Sequence, residues 1–161
     1  VLILDGGAIS LYTRLGLSLP PAQLVFTPHQ KEWEAMSGLA IGDQGEEATR
    51  QSLSQLPPAS ILVQKGPQTK IWQQGQTDYY QLSVGGPYQA TGGMGDTLAG
   101  MIAGFAGQFP QVGLYERVVV ASHLHSAIAD DLSKNAYVVL PTAISKEIPK
   151  WMREICLSNF Q

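Results

Sequence analysis

Ala90-Thr91-Gly92-Gly93-Met94-Gly95-Asp96-Thr97-Leu98-Ala99-Gly100 is the stretch from which the rest of the chain can be read. Three glycines in four residues free the backbone for tight, positive-φ conformations and leave its N–H groups unshielded. The apolar run that follows predicts a helix over 97–107, with Asp96 at its start. Donors at a helix N-terminus lack intrahelical partners and the dipole favours negative charge, so loop and helix together make an anion site. A phosphate held there has one carboxylate beside it. Like charge makes Asp96 a poor phosphate ligand, yet a good acceptor for the proton of a hydroxyl attacking that phosphate. The arrangement points to phosphoryl transfer to an alcohol. The same residues also fit plain capping, since Asp is a favoured N-cap and glycine turns precede many helices. The spacing matches neither the Walker pattern nor the dinucleotide fingerprint.

Upstream, Val1-Leu2-Ile3-Leu4, Leu24-Val25-Phe26 and Ile61-Leu62-Val63 are short continuous apolar runs, the pattern of strands covered on both faces. Between them helices are expected over 8–15, from Lys31 to Met36, and in a polar amphipathic segment capped by Asp43 and stopped by Pro57-Pro58. Segments 69–72 and 78–82 read as an antiparallel pair turning at Gln74-Gly75-Gln76. Helices over 97–107, 114–132 and 143–156 close the chain. Gly100 and Gly104, four apart, predict close packing of the first of these against the sheet. Strands alternating with helices specify an α/β domain with an antiparallel edge. Ligands of such sheets gather at the carboxyl ends of strands. Asp5, Thr27-Pro28-His29, Lys65-Gly66 and the glycine loop all fall there, which places an acid, an imidazole, an ammonium and an anion site around one cleft.

The 161 residues suit one domain with a real core. Only 14% are charged, against about 25% in typical soluble domains. The weakly polar surface this leaves predicts a homo-oligomer or a missing neighbouring segment. A net charge of −3 without a basic run argues against nucleic-acid binding. No apolar run approaches the ~20 residues that span a bilayer. Cys156 stands alone, so no internal disulfide forms, which fits a reducing, cytoplasmic compartment; a semi-buried place on the last helix is expected for it. His123 and His125, two apart on a helix, do not share a face and lack a third ligand, so no metal site is assigned. Asp130-Asp131 reads as a solvated face.

With these segments in place, the chain resembles the ribokinase-like superfamily and, within it, the ADP/ATP-dependent NAD(P)H-hydrate dehydratases of the YjeF carbohydrate-kinase type. The matching stretches are Thr27-Pro28-His29-x-x-Glu32, Lys65-Gly66-x-x-Thr69, Gly85-Gly86-Pro87 and the segment from Ala90 to Gly104. The resemblance implies a three-layer α/β/α fold, with a mostly parallel central sheet and an antiparallel edge, as a single domain over 1–161. It also implies that the chain is the C-terminal portion of that domain and lacks its N-terminal part. The implied activity is repair of hydrated NADH or NADPH: ADP or ATP, with Mg²⁺, phosphorylates the ring hydroxyl, and phosphate then leaves. Asp96 is implied as catalytic base and substrate contact, and His29 as a second contact to the hydrated nucleotide. Lys65, Gly66, Pro67, Gln68, Thr69, Gly92, Gly93 and Gly95 are implied to bind the adenine nucleotide. Asp5 stands where the family usually begins Asp-Ala-Asp-Ala, here Asp5-Gly6-Gly7-Ala8, so the second acid is absent. Two rival readings remain at this point: a hydroxyethylthiazole or hydroxymethylpyrimidine kinase of the same superfamily, and a non-catalytic nucleotide-binding fragment.

Overall fold

A computed structural model describes residues 1–158. Five strands form one sheet in the order β1 (Leu2–Leu4), β2 (Leu24–Phe26), β3 (Ile61–Gln64), β4 (Lys70–Gln73), β5 (Tyr79–Gln81). β1–β2 and β2–β3 pair parallel, while β3–β4 and β4–β5 pair antiparallel. The predicted mostly parallel sheet is therefore parallel in its first three strands and turns antiparallel at β3.

Alternation along the strands splits the apolar residues between two layers. Leu24, Phe26, Leu62 and Trp72 pack with Ile9, Trp33 and Leu53. These come from α1 (Gly6–Leu15), α2 (Gln30–Ser37) and α3 (Glu46–Leu53). Val25, Ile61, Val63 and Ile71 face the other way, onto Ile102, Val118, Ile128 and Ile144. Those belong to α4 (Met94–Gly107), α5 (Leu114–Ser133) and α6 (Pro141–Ser158). Coverage on both faces explains why the strands read as unbroken apolar runs rather than alternating ones.

Several local expectations are corrected. α4 starts at Met94, not Thr97, because Gly93 at φ 87° supplies the N-cap in a left-handed conformation that L side chains rarely adopt. Asp43 lies in a 3-10 turn, and Gly45 caps α3. Gly100 and Gly104 lie on the exposed side of α4, whose packing face is Leu98, Met101, Ile102 and Phe105. Cys156 is exposed. No helix among the described residues is long and apolar enough to cross a membrane.

The connection between α5 and α6 is stitched to the segment preceding α4. Val139 N–H donates to Tyr88 O (3.0 Å), and Thr91 Oγ1 donates to Val139 O (3.1 Å). Tyr137 in this connection is 97% exposed.

Candidate functional site

The parallel register aligns Leu4 with Phe26 and Phe26 with Leu62, so the chain leaves all three strands along one edge. Asp5, Thr27 and Lys65 follow directly. Thr27 N–H donates to Leu4 O (3.0 Å), and Lys65 N–H donates to Pro28 O (2.9 Å), which carries the register past the strands. The side chains then meet: Asp5 Oδ1 accepts from Thr27 Oγ1 (2.7 Å) and from Lys65 Nζ (2.8 Å). Lys65 is thus ion-paired, and Asp5, the one acid left of the altered Asp5-Gly6-Gly7-Ala8 stretch, is its partner.

Gly95 closes this cluster from α4. A Cβ on Gly95 would stand 3.3 Å from Lys65 Nζ and 3.4 Å from Asp5 Oδ2, so a bare backbone is what brings helix and ion pair together. Around it the donors are open. Met94 N–H reaches Thr91 O at 3.4 Å and Thr97 N–H reaches Gly93 O at 3.0 Å, leaving the intervening Gly95 and Asp96 N–H groups without an acceptor among the described residues. Asp96 sits in the third helical position. Its side chain is exposed and makes no hydrogen bond or ion pair among the described residues, so it is not the helix cap. A free carboxylate, two free N–H groups and a nearby ammonium form the anion end of the site.

From Lys65 and Gly95 a cleft of about 520 Å³ runs along the sheet edge. Lys65–Pro67 and Thr69 form one wall, Leu82, Val84 and the 85–90 segment another, and Met94 and Leu98 of α4 a third. Ser122, His125 and Ser126 of α5 close it. Gln68 lies on the far side of Lys65–Pro67, in a second hollow of about 510 Å³ with Gln30 and Gln44. Gly92 and Gly93 are exposed on the loop outside the cleft lining.

His29 is less free than its position suggests. Its Nδ1 accepts the N–H groups of Lys31 (3.1 Å) and Glu32 (3.2 Å), while Glu32 Oε2 accepts His29 N–H (2.8 Å). This capping box starts α2. Nε2 lies 3.5 Å from Glu32 Oε1 on a side chain 56% exposed, which leaves that nitrogen alone able to reach a ligand.

The α5 residues escaped sequence reasoning. Asp130 is no solvated acid: its Oδ1 accepts Gly85 N–H (2.8 Å) and the Tyr88 hydroxyl, fastening the segment that leads into the glycine loop. Burial, aided by Asp130, raises the Tyr88 phenol above its ordinary range. Asp131 instead pairs with Lys134 (2.9 Å). His125 is buried and pushed down to about 4 by loss of solvent, opposed in part by the Met94 backbone. His123 contacts Tyr80 instead, as the two-residue spacing requires. No three His, Cys, Asp or Glu side chains converge among the described residues.

The sequence profile of NAD(P)H-hydrate dehydratase matches residues 1–150. The chain is 64% identical over 156 residues to the ADP-dependent (S)-NAD(P)H-hydrate dehydratase of Streptococcus pneumoniae, covering 97% of the chain and 54% of that protein. It is 42% identical to the Staphylococcus aureus enzyme of the same description, over 96% of the chain and 54% of that protein. A Streptococcus mutans structure superposes with TM-score 0.88 at 55% identity, over 94% of the chain and 54% of its own. The ADP/ATP-dependent NAD(P)H-hydrate dehydratase of Bacillus subtilis, co-crystallised with ATP/Mg²⁺, superposes with TM-score 0.79 at 28% identity, over 94% and 54%. The chain spans about half the length of the relatives it matches.

Proposed function

Because the chain belongs to the NAD(P)H-hydrate dehydratase family, we propose that its cleft holds an adenine nucleotide and that its anion end passes a phosphoryl group to the ring hydroxyl of hydrated NADH or NADPH. ADP is the donor on this reading, as in the ADP-dependent relatives at 42–64% identity. The family placement favours this repair reaction over the vitamin-precursor kinase alternative.

The observation that carries the reading is Asp96, a carboxylate without a partner next to two N–H groups without an acceptor. The N–H groups of Gly95 and Asp96, with Lys65, hold the charge of the transferring group. Asp96 takes the hydroxyl proton as the new oxygen–phosphorus bond forms and the bond to the AMP leaving group breaks. Phosphate then departs with its carbon–oxygen electrons, the ring nitrogen supplying replacement electrons, and loss of a ring proton restores the double bond. Gly66, Pro67 and Thr69 line the nucleotide's path, with Gln68 behind them and Gly92 and Gly93 on the loop outside. Nε2 of His29 is the atom through which that residue touches the hydrated nucleotide.

Mg²⁺ fits as a counter-ion carried mainly by the nucleotide phosphates and water, since among the described residues only Asp96 offers a carboxylate without a partner beside Gly95. Bound there, it neutralises phosphate charge.

The test is recovery of reduced-nicotinamide absorbance from NADH hydrate with ADP, ATP or neither. Recovery that needs ADP and disappears in Asp96→Asn supports the reading. A folded, nucleotide-binding chain that gives no recovery refutes it for this chain.

A further inference from the structure

Two residues that line the cleft each carry a buried polar atom without a hydrogen-bond partner. Ser122 is 1% exposed and its Oγ has no hydrogen-bond partner; His125 is 5% exposed and its Nε2 has none. Several helical hydroxyls bond back to the carbonyl four residues earlier, as Ser37 does to Trp33 (2.6 Å) and Ser145 to Pro141 (3.1 Å). Ser122 does not. Being three residues apart, Ser122 and His125 share one face of α5, and both residues line the cleft that Lys65 and Gly95 also border. Trp33 Nε1, Gln44 Oε1 and Arg50 Nε are also buried without partners, but Ser122 and His125 share one helix face and one cleft, where a ligand can supply both partners.

The hydrogen-bonding polarity of the site follows from its neighbours. Gln89 Oε1 accepts Gly86 N–H (3.3 Å), so the amide nitrogen is the end that faces His125 Nδ1, at 3.5 Å. With that nitrogen as donor and Nδ1 as acceptor, the imidazole proton is assigned to Nε2. His125 therefore offers a donor, and Ser122 offers a donor and an acceptor. Leu82, Val84 and Leu98 supply the apolar walls a flat ring system needs, and about 520 Å³ is room for a nucleoside.

We propose that Ser122 and His125 recognise the base of the bound nucleotide: His125 Nε2–H donates to an unprotonated purine ring nitrogen, and Ser122 Oγ pairs with the adjacent exocyclic amino group. This deepens the nucleotide reading above and rests on it. Adenine presents such a pair both at N1 with its amino group and at N7 with its amino group; the pairing assigned here is the N1 edge, since guanine N7 is an acceptor too. Guanine presents a ring N–H and a carbonyl there, so the His125 donor meets another donor. The pair selects adenine over guanine.

Titration calorimetry of the full chain with ADP, GDP and inorganic pyrophosphate tests this, using the wild type, Ser122→Ala and His125→Phe. The wild type is expected to favour ADP over GDP by about tenfold or more, and each variant to lose about tenfold in ADP affinity with pyrophosphate binding unchanged. Ser122→Ala is further expected to melt no lower than the wild type, because it removes an unpaired hydroxyl. Variants that bind ADP as the wild type does, or lose ADP and GDP affinity equally, overturn the assignment. ADP bound no more tightly than pyrophosphate overturns it while leaving the anion end standing. Binding of neither ligand overturns the nucleotide reading itself, and this inference with it.

Discussion

Asp5→Asn separates the two roles that the ion pair at the strand ends plays. The carboxylate accepts from Thr27 at 2.7 Å and from Lys65 at 2.8 Å, with the Lys65 and Asp5 side chains 21% and 18% exposed. Asparagine keeps the shape and an acceptor oxygen but removes the charge. Hydrogen bonds to charged groups are worth ~1.5–3 kcal/mol and neutral ones ~0.5–1.5, so about 1 kcal/mol is lost per bond before allowing for residual solvent. The expected destabilisation is about 1–2 kcal/mol, which for a chain of this size lowers Tm by about 2–8 °C. Anion affinity moves the other way. The separation between Asp5 and an anion on the Gly95 N–H is taken as about 6 Å, two hydrogen-bond lengths. Removing one negative charge at that distance is worth about 0.7–3 kcal/mol across the usual range of effective dielectric, or roughly three- to hundredfold. The lower part of that range applies at physiological salt. Thermal melts followed by circular dichroism, together with pyrophosphate titration, check both signs. A double-mutant cycle with Lys65→Met should show coupling of about 1 kcal/mol. Additivity within ~0.5 kcal/mol, or weaker pyrophosphate binding in Asp5→Asn, would refute the reasoning.

Asp96→Asn should cut turnover by a factor of about 10²–10⁴, the usual worth of a general base, with ADP affinity within about threefold of wild type; steady-state kinetics beside calorimetry decides it. His29→Asn keeps a favoured N-cap, so its melting temperature should hold while KM for the hydrated nucleotide rises; a fall in Tm with KM unchanged assigns His29 to capping alone. His125 has a folded pKa lowered to about 4 by burial, below its unfolded value of 6.5, so its neutral form stabilises the fold above pH 6.5 and that contribution is lost as pH falls toward 4. Urea denaturation at pH 7 and pH 5 should differ by about 2 kcal/mol from this group, and His125→Phe should remove that difference.

The strand ends were legible because fully covered parallel strands leave an unmistakable apolar run, and the residue after each run must lie at the carboxyl edge. That is how Asp5, Thr27, Lys65 and the glycine loop came together on paper. The start of α4 was misplaced because Asp96 mimics a cap, whereas a glycine in a left-handed conformation does the capping three residues earlier. Ser122, His125 and Asp130 stayed hidden for a different reason. Each contacts residues some 35 to 45 positions away or opens onto a cleft built by other segments, so the local pattern of α5 carries no trace of their task. Gly100 and Gly104 show the converse error, a local motif whose packing meaning the surrounding structure does not use.

The two hydrogen bonds that bind Val139 to Tyr88 and Thr91 make the α5–α6 connection and the glycine loop a single mechanical unit. Restraint imposed at one end is felt at the other, and thermodynamic reciprocity requires the effect to be equal in both directions. If the anion end binds phosphate as proposed, its occupation is expected to slow amide exchange at Val139, and any ligand of the exposed Tyr137 that changes phosphate affinity must have its own affinity changed by phosphate by the same factor.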